Sequence, residues 1–181
     1  MLLFPVLQPI RENRRDPRTG CASDMKQLGL AFIQYEQDAD EQTPPGVNAA
    51  GNGWAGQIYL FVKSRDVYHC LSDQQAGPYV SYAENRNTVK KPQPDFANPA
   101  EAVQLYETTT LNCDPSTPET VSATGLSAPQ ASTRHSDQDF SLNFLAEEGH
   151  VRYLKPGAVS SGPNAAHPNQ IGAFALTFAA K

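Results

Sequence analysis

The chain has 181 residues, of which 39% are hydrophobic and 18% are charged, and its formal net charge is -5 at pH 7. This length suits one domain with a hydrophobic core. With 14 Lys and Arg against 19 Asp and Glu, the chain offers no strongly basic face, which argues against a nucleic-acid partner.

An apolar run opens the chain, and a basic cluster follows it. The run is shorter than the roughly 20 apolar residues that span a bilayer, so we predict no membrane span in this chain. Its prolines argue against a continuous helix through residues 1–20. The basic cluster could meet anionic lipid headgroups, pair with acids of a neighbouring subunit, or be solvated. The apolar residues are Leu2, Leu3, Phe4, Val6 and Leu7, and the basic ones are Arg11, Arg14, Arg15 and Arg18.

The clearest helical pattern follows, at residues 23–39. Ser23 is the predicted N-cap, and we do not expect the helix to continue back through Gly20 and Pro17. Its apolar positions recur at helical spacing and predict a core-packing face, formed by Met25, Leu28, Phe32 and Tyr35.

The middle of the chain predicts one short helix and two strands. The helix is predicted at residues 53–64, and residues 65–77 are predicted to be extended and then to turn. Alternating or β-branched and aromatic residues predict strands at 78–86 and 100–110. Residues 108–133 are rich in Thr, Ser, Pro and Ala and are predicted to form a long loop.

The last third of the chain predicts a β-hairpin and a final strand. The hairpin covers residues 139–154 and turns at Glu148 and Gly149, because glycine readily takes a positive φ. The final strand covers residues 171–179. The fold class predicted from these elements is α+β, with a long N-terminal helix packed on a small, mainly antiparallel sheet. The apolar residues at strand spacing in the final segment are Phe174, Leu176 and Phe178.

Three cysteines, Cys21, Cys70 and Cys113, are spaced unlike a zinc motif, because the chain has no C-x-x-C. They allow one disulfide and one free thiol. All three pairings stay open at this point.

Clustered polar residues invite two chemical interpretations, and we favour neither. His135, Ser136 and Asp137 are adjacent in sequence, whereas a catalytic triad is assembled from distant segments, so we predict no catalytic residues. Asp137 and Asp139 are spaced like calcium ligands but lack the glycine and the distal glutamate of a dedicated loop. We therefore expect no metal ion and no cofactor, with calcium at this pair as the weak alternative.

Seven motifs, in order, resemble the type IV pilin-like and type II secretion pseudopilin-like proteins that carry a C-terminal H-X9-DG motif. They span residues 2 to about 157. Positions that match the family motifs are Cys21, Trp54, Cys70, His135, Glu148 and Gly149. The motifs are "LLFPVLQPIREN", "CASDMKQLGLAFIQYEQDADEQTPP", "GWAGQIYLFVKS", "VYHCLSD", "VSYAENRN", "PAEAVQLYE" and "RHSDQDFSLNFLAEEGHVRYLKP".

The sequence departs from that family at three places, one of which is the Cys70 phrase, which reads "CLSD" rather than "CPSD". Pro17 and Gly20 interrupt the segment where the family continues its helix. His135 is separated from Glu148 by twelve residues rather than nine, and glutamate replaces the aspartate of the motif.

The resemblance implies a structural subunit of a bacterial extracellular filament, located outside the cell or on its surface, that acts by self-assembly and is not an enzyme. Residues 1–20 are then an assembly arm or a remnant of the pilin helix, most of which this chain lacks. Residues 21–157 form a pilin-like globular domain, and residues 158–181 are an extension with a final strand.

The expected partner is another copy of the chain in a filament. The apolar segments 2–7 and 171–179 are candidates for strand addition to a neighbour's sheet edge. Two alternatives stay open: a secreted monomeric binding module, and a minor pseudopilin of a type II secretion system.

Overall fold

The fold is α+β, with one long helix lying on one face of a mainly antiparallel sheet, as predicted. The computed structural model describes residues 16–46, 48–73, 80–85, 88–92, 96, 98–107, 120–121, 135, 141–155 and 158–159. The helices are α1 (Pro17–Asp38), α2 (Trp54–Gln57), α3 (Tyr59–Val62) and a 3-10 helix (Asp66–Tyr68), and the strands are β1 (Tyr82–Asn85), β2 (Val103–Glu107), β3 (Thr120–Val121), β4 (Leu142–Ala146) and β5 (Val151–Leu154).

Several predictions concern residues outside this described set, and they stay predictions. They include the apolar opening, most of its basic cluster, the calcium candidates, the third cysteine and the final strand. The residues are Leu2, Leu3, Phe4, Val6, Leu7, Arg11, Arg14, Arg15, Cys113, Asp137, Asp139, Phe174, Leu176 and Phe178.

Helix α1 begins earlier than predicted, at Pro17, and runs through Gly20. Proline is compatible with the first helical turn, because the N–H that it lacks would have no partner within the helix. The side chain of Asp16 caps the helix by accepting a hydrogen bond from the backbone N–H of Arg18 at 3.0 Å. The prediction of an N-cap at Ser23 is therefore wrong.

The predicted apolar face of α1 forms the main core. Met25, Leu28 and Phe32 are fully buried, and the Phe32 ring stacks on the Trp54 ring with centroids 5.5 Å apart. In the segment where one short helix was predicted, the chain forms two four-residue helices, α2 and α3. A 3-10 turn replaces the extended piece predicted after them. No helix in the described part of the chain has the length and apolar character needed to cross a membrane.

The sheet has the strand order β3-β1-β2-β4-β5. Its neighbours pair antiparallel except β1 and β3, which pair in parallel. The strand β3 lies within residues 108–133, where the sequence predicted a loop. The sequence gives no local indication of this short strand, because two residues are too few for an alternating pattern.

A register shift in β2, between Val103 and Leu105, changes which side chains face α1. Leu105 packs in the core beneath the helix, and the neighbouring Gln104 also faces α1, donating to Glu36 Oε1 at 3.5 Å. Two consecutive residues therefore share one face, as a β-bulge allows. The shift also places Glu107, two residues after Leu105, on the α1 face of the sheet.

The predicted hairpin is present as β4 and β5, and its turn contains Gly149 with φ of 92°. The helix approaches this hairpin closely at Gly29. A Cβ added at Gly29 would lie 2.9 Å from Leu145 Cδ1, whereas a Cβ added at Gly20 would meet Leu71 Cδ1 at an ordinary 3.6 Å. Glycine at position 29 therefore sets the distance between α1 and β4.

We expect Gly29→Ala and Gly20→Ala to change stability in opposite directions. Both remove a glycine from the same helix, which favours folding by about 0.5–1 kcal/mol. At position 29 the overpacking against Leu145 costs about 1–3 kcal/mol, so the net free energy of unfolding falls. Urea unfolding of both variants measures the difference, and a stabilised Gly29→Ala variant would contradict this account of the helix–hairpin contact.

Three glutamates are buried near the C-terminal half of α1: Glu36 of the helix itself, Glu84 and Glu147. Both carboxylate oxygens of Glu84 lack a hydrogen-bond partner among the described residues. Burial raises the pKa of the Glu84 carboxyl well above its ordinary value. The pKa of Glu147 is also raised, first by burial and then by the charges of Glu36 and Glu84, while Thr88 offsets part of the rise.

The Glu84→Gln variant tests this raised pKa. The folded-state pKa of Glu84 lies above its unfolded value of about 4.3. The stabilising effect of protonating Glu84 is therefore fully present below the unfolded pKa, and it is lost as the pH rises through the folded-state pKa. Glutamine avoids the loss, so we expect the variant to gain about 1–3 kcal/mol at pH 7 and little at pH 4. Urea unfolding at both pH values measures it. An equal gain at both would contradict it, and the exposed Glu148→Gln change is the control.

Candidate functional site

A disulfide between Cys21 and Cys70 lies in the interior of the protein. Cys21 belongs to α1, and Cys70 follows the 3-10 helix. Both are fully buried. Of the three pairings that the sequence leaves open, this one is formed. Because it joins residues 49 apart in sequence, it is expected to stabilise the fold by about 2–4 kcal/mol, mainly by restricting the unfolded chain.

Beside the disulfide lies a buried carboxylate–imidazole pair, formed by Glu107 and His135. The ring Nε2 of His135 is 2.9 Å from Oε2 and 3.0 Å from Oε1 of Glu107, and the two side chains are 1% and 0% exposed. An ionised carboxylate can only accept hydrogen bonds, so the pairing requires a proton on Nε2. A buried charge paired in this way avoids the large penalty of an isolated one.

Asn143 of β4 donates two further hydrogen bonds to the Glu107 carboxylate. Its backbone N–H donates to Oε2 at 2.8 Å and its side-chain amide donates to Oε1 at 2.9 Å. The same amide lies 3.2 Å from the backbone carbonyl of Arg18 and donates to it. Glu107 and Asn143 therefore connect β2, β4 and the first turn of α1.

The imidazole of His135 is held on its other sides as well. Its Nδ1 lies 3.1 Å from Ser72 Oγ, and its ring meets the Tyr153 ring edge-on at 5.9 Å. The Arg18 guanidinium lies over the Tyr153 ring, 5.7 Å from its centroid. The ring nitrogens of His135 therefore bond to β2 and to the loop after Cys70.

The loop that carries Cys70 is fixed by the Ser81 side chain. Ser81 Oγ accepts a hydrogen bond from the Cys70 backbone N–H at 3.0 Å and donates to Asp73 at 2.7 Å. In return, the Ser81 backbone N–H donates to the Tyr68 carbonyl at 2.8 Å. These bonds position the Cys70 sulfur against α1.

Four groups that could ligate a metal ion converge here, since the ligand atoms of Cys21, Cys70, Glu107 and His135 all lie within 4.8 Å of one another. In the disulfide, neither sulfur carries the thiolate charge that binds a metal. The Cys70 Sγ and Glu107 Oε1 atoms, 3.9 Å apart, are then in van der Waals contact. With the disulfide closed, the arrangement joins α1, β2, β4 and two loop segments.

The structure brings together three of the six positions that match the pilin-like motifs: Cys21, Cys70 and His135. Trp54 is in the same hydrophobic core as the two cysteines, where its ring stacks on Phe32. Glu148 and Gly149 lie in the hairpin turn, where the half-exposed Glu148 carboxylate is 2.6 Å from His150 Nδ1.

Sequence reasoning missed Glu107 and Asn143. The one available signal was a charged residue ending the apolar strand pattern "VQLYE". Charged residues are rarely fully buried unless they are paired, so Glu107 could have been singled out as needing a partner. Nothing local identifies that partner, because His135 and Asn143 are 28 and 36 residues away in sequence.

We expect Glu107→Gln to destabilise the fold although it keeps the side chain's shape. Every hydrogen bond to this group comes from a donor, so the NH₂ of glutamine must face one of them and leave it unpaired. The expected loss in the free energy of unfolding is about 1–3 kcal/mol, measured by urea unfolding at pH 7 with the disulfide intact. The exposed Glu148→Gln change should stay within about 0.5 kcal/mol, and equal effects of the two variants would refute the argument.

Comparison with known proteins identifies the family. A family model described as "Protein of unknown function (DUF1559)" matches residues 8–167. No curated protein and no solved structure matches the chain. Since the family match covers most of the sequence, the chain belongs to the DUF1559 family, a family of pilin-like and pseudopilin-like proteins associated with type II secretion.

Proposed function

We propose that this protein is a structural subunit of a bacterial extracellular filament and that it acts by self-assembly rather than by catalysis. Membership of a pilin-like family supports this. So does the fold, in which a long helix near the N-terminus lies on an antiparallel sheet. A binding module or a minor pseudopilin could share these two features, so the proposal depends on a third.

The outward face of α1 is the observation that carries the proposal. Nine residues of this helix are exposed, and only two of them, Lys26 and Asp38, are charged. A helix that faces water usually carries a polar, charged outer face. Here Leu30 lies at the centre of the face with 60% of its surface exposed. The uncharged polar residues around it are Thr19, Ser23, Gln27, Gln34 and Gln37.

This face suits the same helix of a second copy. Residues that are uncharged and of small or moderate size let two helices approach without burying unpaired charges. The apolar run 2–7 precedes α1 in sequence and is the second candidate for the contact. The assembly proposed here therefore involves α1 of neighbouring subunits together with that run.

The disulfide supports a location outside the cytoplasm. Disulfides persist in oxidising compartments and are rare in the reducing cytosol. The buried Cys21–Cys70 bond ties α1 to the domain that it lies on. A subunit that bears load along a helix benefits from such a link, because the helix cannot peel away from its domain.

The assembly test compares the intact chain with two variants in negative-stain electron microscopy. We expect filaments from the intact chain, and we expect both Leu30→Glu and deletion of residues 1–7 to abolish them. Leu30→Glu places a charge in the centre of the proposed contact, whereas circular dichroism should show an unchanged fold because Leu30 is a surface residue.

The control is Leu60→Glu, which places the same charge on α3 at a leucine that is 75% exposed. It should assemble normally. Discrete monomers from the intact chain at high concentration would overturn the filament proposal and favour the binding-module alternative. Filaments that tolerate Leu30→Glu would exclude α1 as the contact.

A further inference from the structure

The four converging ligand groups form a chemically complete set for one metal ion. Two cysteines, one histidine and one carboxylate are ligands that Zn²⁺ takes in tetrahedral sites. All four residues are buried, and they come from separate segments of the chain. The disulfide is what distinguishes this cluster from a zinc site, because it occupies both sulfurs.

We propose that reduction of the Cys21–Cys70 disulfide by a dithiol converts this cluster into a tetrahedral zinc site with Cys21, Cys70, Glu107 and His135 as its ligands. The dithiol gives up two electrons and two protons and becomes a disulfide, while the two cysteines become thiols. Zn²⁺ then displaces the two thiol protons, which pass to the solvent. This inference does not depend on the proposed filament function.

The distances in the oxidised chain are close to those of a zinc site. Zinc–ligand bonds of about 2.0–2.3 Å place tetrahedral ligand atoms about 3.3–3.8 Å apart. Glu107 and His135 are 2.9–3.0 Å apart, and Cys70 Sγ is 3.9 Å from Glu107 Oε1. The main movement required is the separation of the two sulfurs, which reduction itself causes.

The surrounding side chains already orient two of the ligands. A metal-binding histidine usually hydrogen-bonds through its other ring nitrogen, and Nδ1 of His135 lies 3.1 Å from Ser72 Oγ. With Nε2 on the metal, the imidazole proton moves to Nδ1 and donates to Ser72. Asn143 continues to donate one hydrogen bond to each Glu107 oxygen, and the carboxylate lone pair that accepts from His135 in the oxidised chain becomes available to the metal.

The net charge of the zinc ion and its ligands is small enough for a buried site. Two thiolates and one carboxylate carry three negative charges, and Zn²⁺ reduces the sum to one. The Asn143 donors spread that remaining charge over the Glu107 carboxylate. Because all four ligands come from the protein and are buried, the site is closed and structural rather than catalytic. Zinc would connect α1 to the Cys70 loop, as the disulfide does.

The first experiment compares one chain in two redox states. The Cys113→Ser variant removes the third thiol, and it is prepared oxidised and, separately, reduced with a phosphine that supplies no competing thiol. Each form is titrated with Co²⁺ and then with Zn²⁺. We expect the reduced form to bind one ion and to show tetrahedral cobalt bands with a sulfur-to-cobalt charge-transfer band, and the oxidised form to show neither.

Ligand variants of the reduced chain then identify the site. His135→Asn and Glu107→Gln should each weaken zinc binding by more than about 100-fold, and Ser72→Ala by about 10-fold. The matched control is His150→Asn, since His150 is a partly exposed histidine outside the cluster. It should leave zinc binding unchanged.

Thermal unfolding makes the test independent of whether the variants fold. Zinc should raise the Tm of the reduced chain with native ligands and leave that of the oxidised chain unchanged, since a ligand stabilises only the state that binds it. Absence of equimolar uptake by the reduced chain would overturn the proposal. So would uptake that His135→Asn does not weaken, which would indicate two free thiols alone.

Discussion

The covalent bond between Cys21 and Cys70 is the constraint on which the arrangement of α1 depends. A helix that lies on a sheet is normally held by its apolar face alone, and here Met25, Leu28 and Phe32 provide that face. The disulfide fixes the helix near its first turns instead of leaving its axial position to packing. The hydrogen bond from Asn143 to the carbonyl of Arg18 acts at the same end, so both restraints prevent the helix from sliding along the sheet.

The two ends of α1 show opposite solutions to the burial of a glutamate. Near the first turns, Glu107 accepts hydrogen bonds from Asn143 and His135 and so is a satisfied buried charge. Near the last turns, Glu84 is equally buried, but its oxygens have no partner among the described residues, and burial raises its pKa. The difference follows from the neighbours: donors surround the first group, and other carboxylates lie near the second.

Much of the fold could be predicted from the sequence because its signals are local. The 3.6-residue periodicity identified Met25, Leu28 and Phe32 as core residues, and the alternation of Leu142 and Phe144 before a glycine turn identified the hairpin. The start of α1 was missed because the rule that proline breaks helices was applied to a proline in the first turn, where it is tolerated.

The candidate site could not be predicted, for physical reasons. Its members are separated by tens of residues, and no periodicity relates them. The pairing of Cys21 with Cys70 depends on where α1 lies on the sheet, and the inward direction of Glu107 depends on the register shift at Gln104. The cysteine spacing gave no indication that Cys21, Cys70, Glu107 and His135 converge, because that convergence exists only in three dimensions.

The contact between the two ends of the domain also determines when the molecule can fold. The hydrogen bond from Asn143 to Arg18 spans 125 residues of sequence, and β4 and β5 supply much of the surface on which α1 lies. The chain is synthesised from its N-terminus, so α1 appears before the sheet that covers its apolar side is complete. Productive collapse therefore waits for the hairpin, because loop-closure entropy is lost before such distant contacts form. During synthesis, this protein presents a nascent amphipathic helix that remains unshielded until late, and chaperones recognise such exposed apolar surface in this interval.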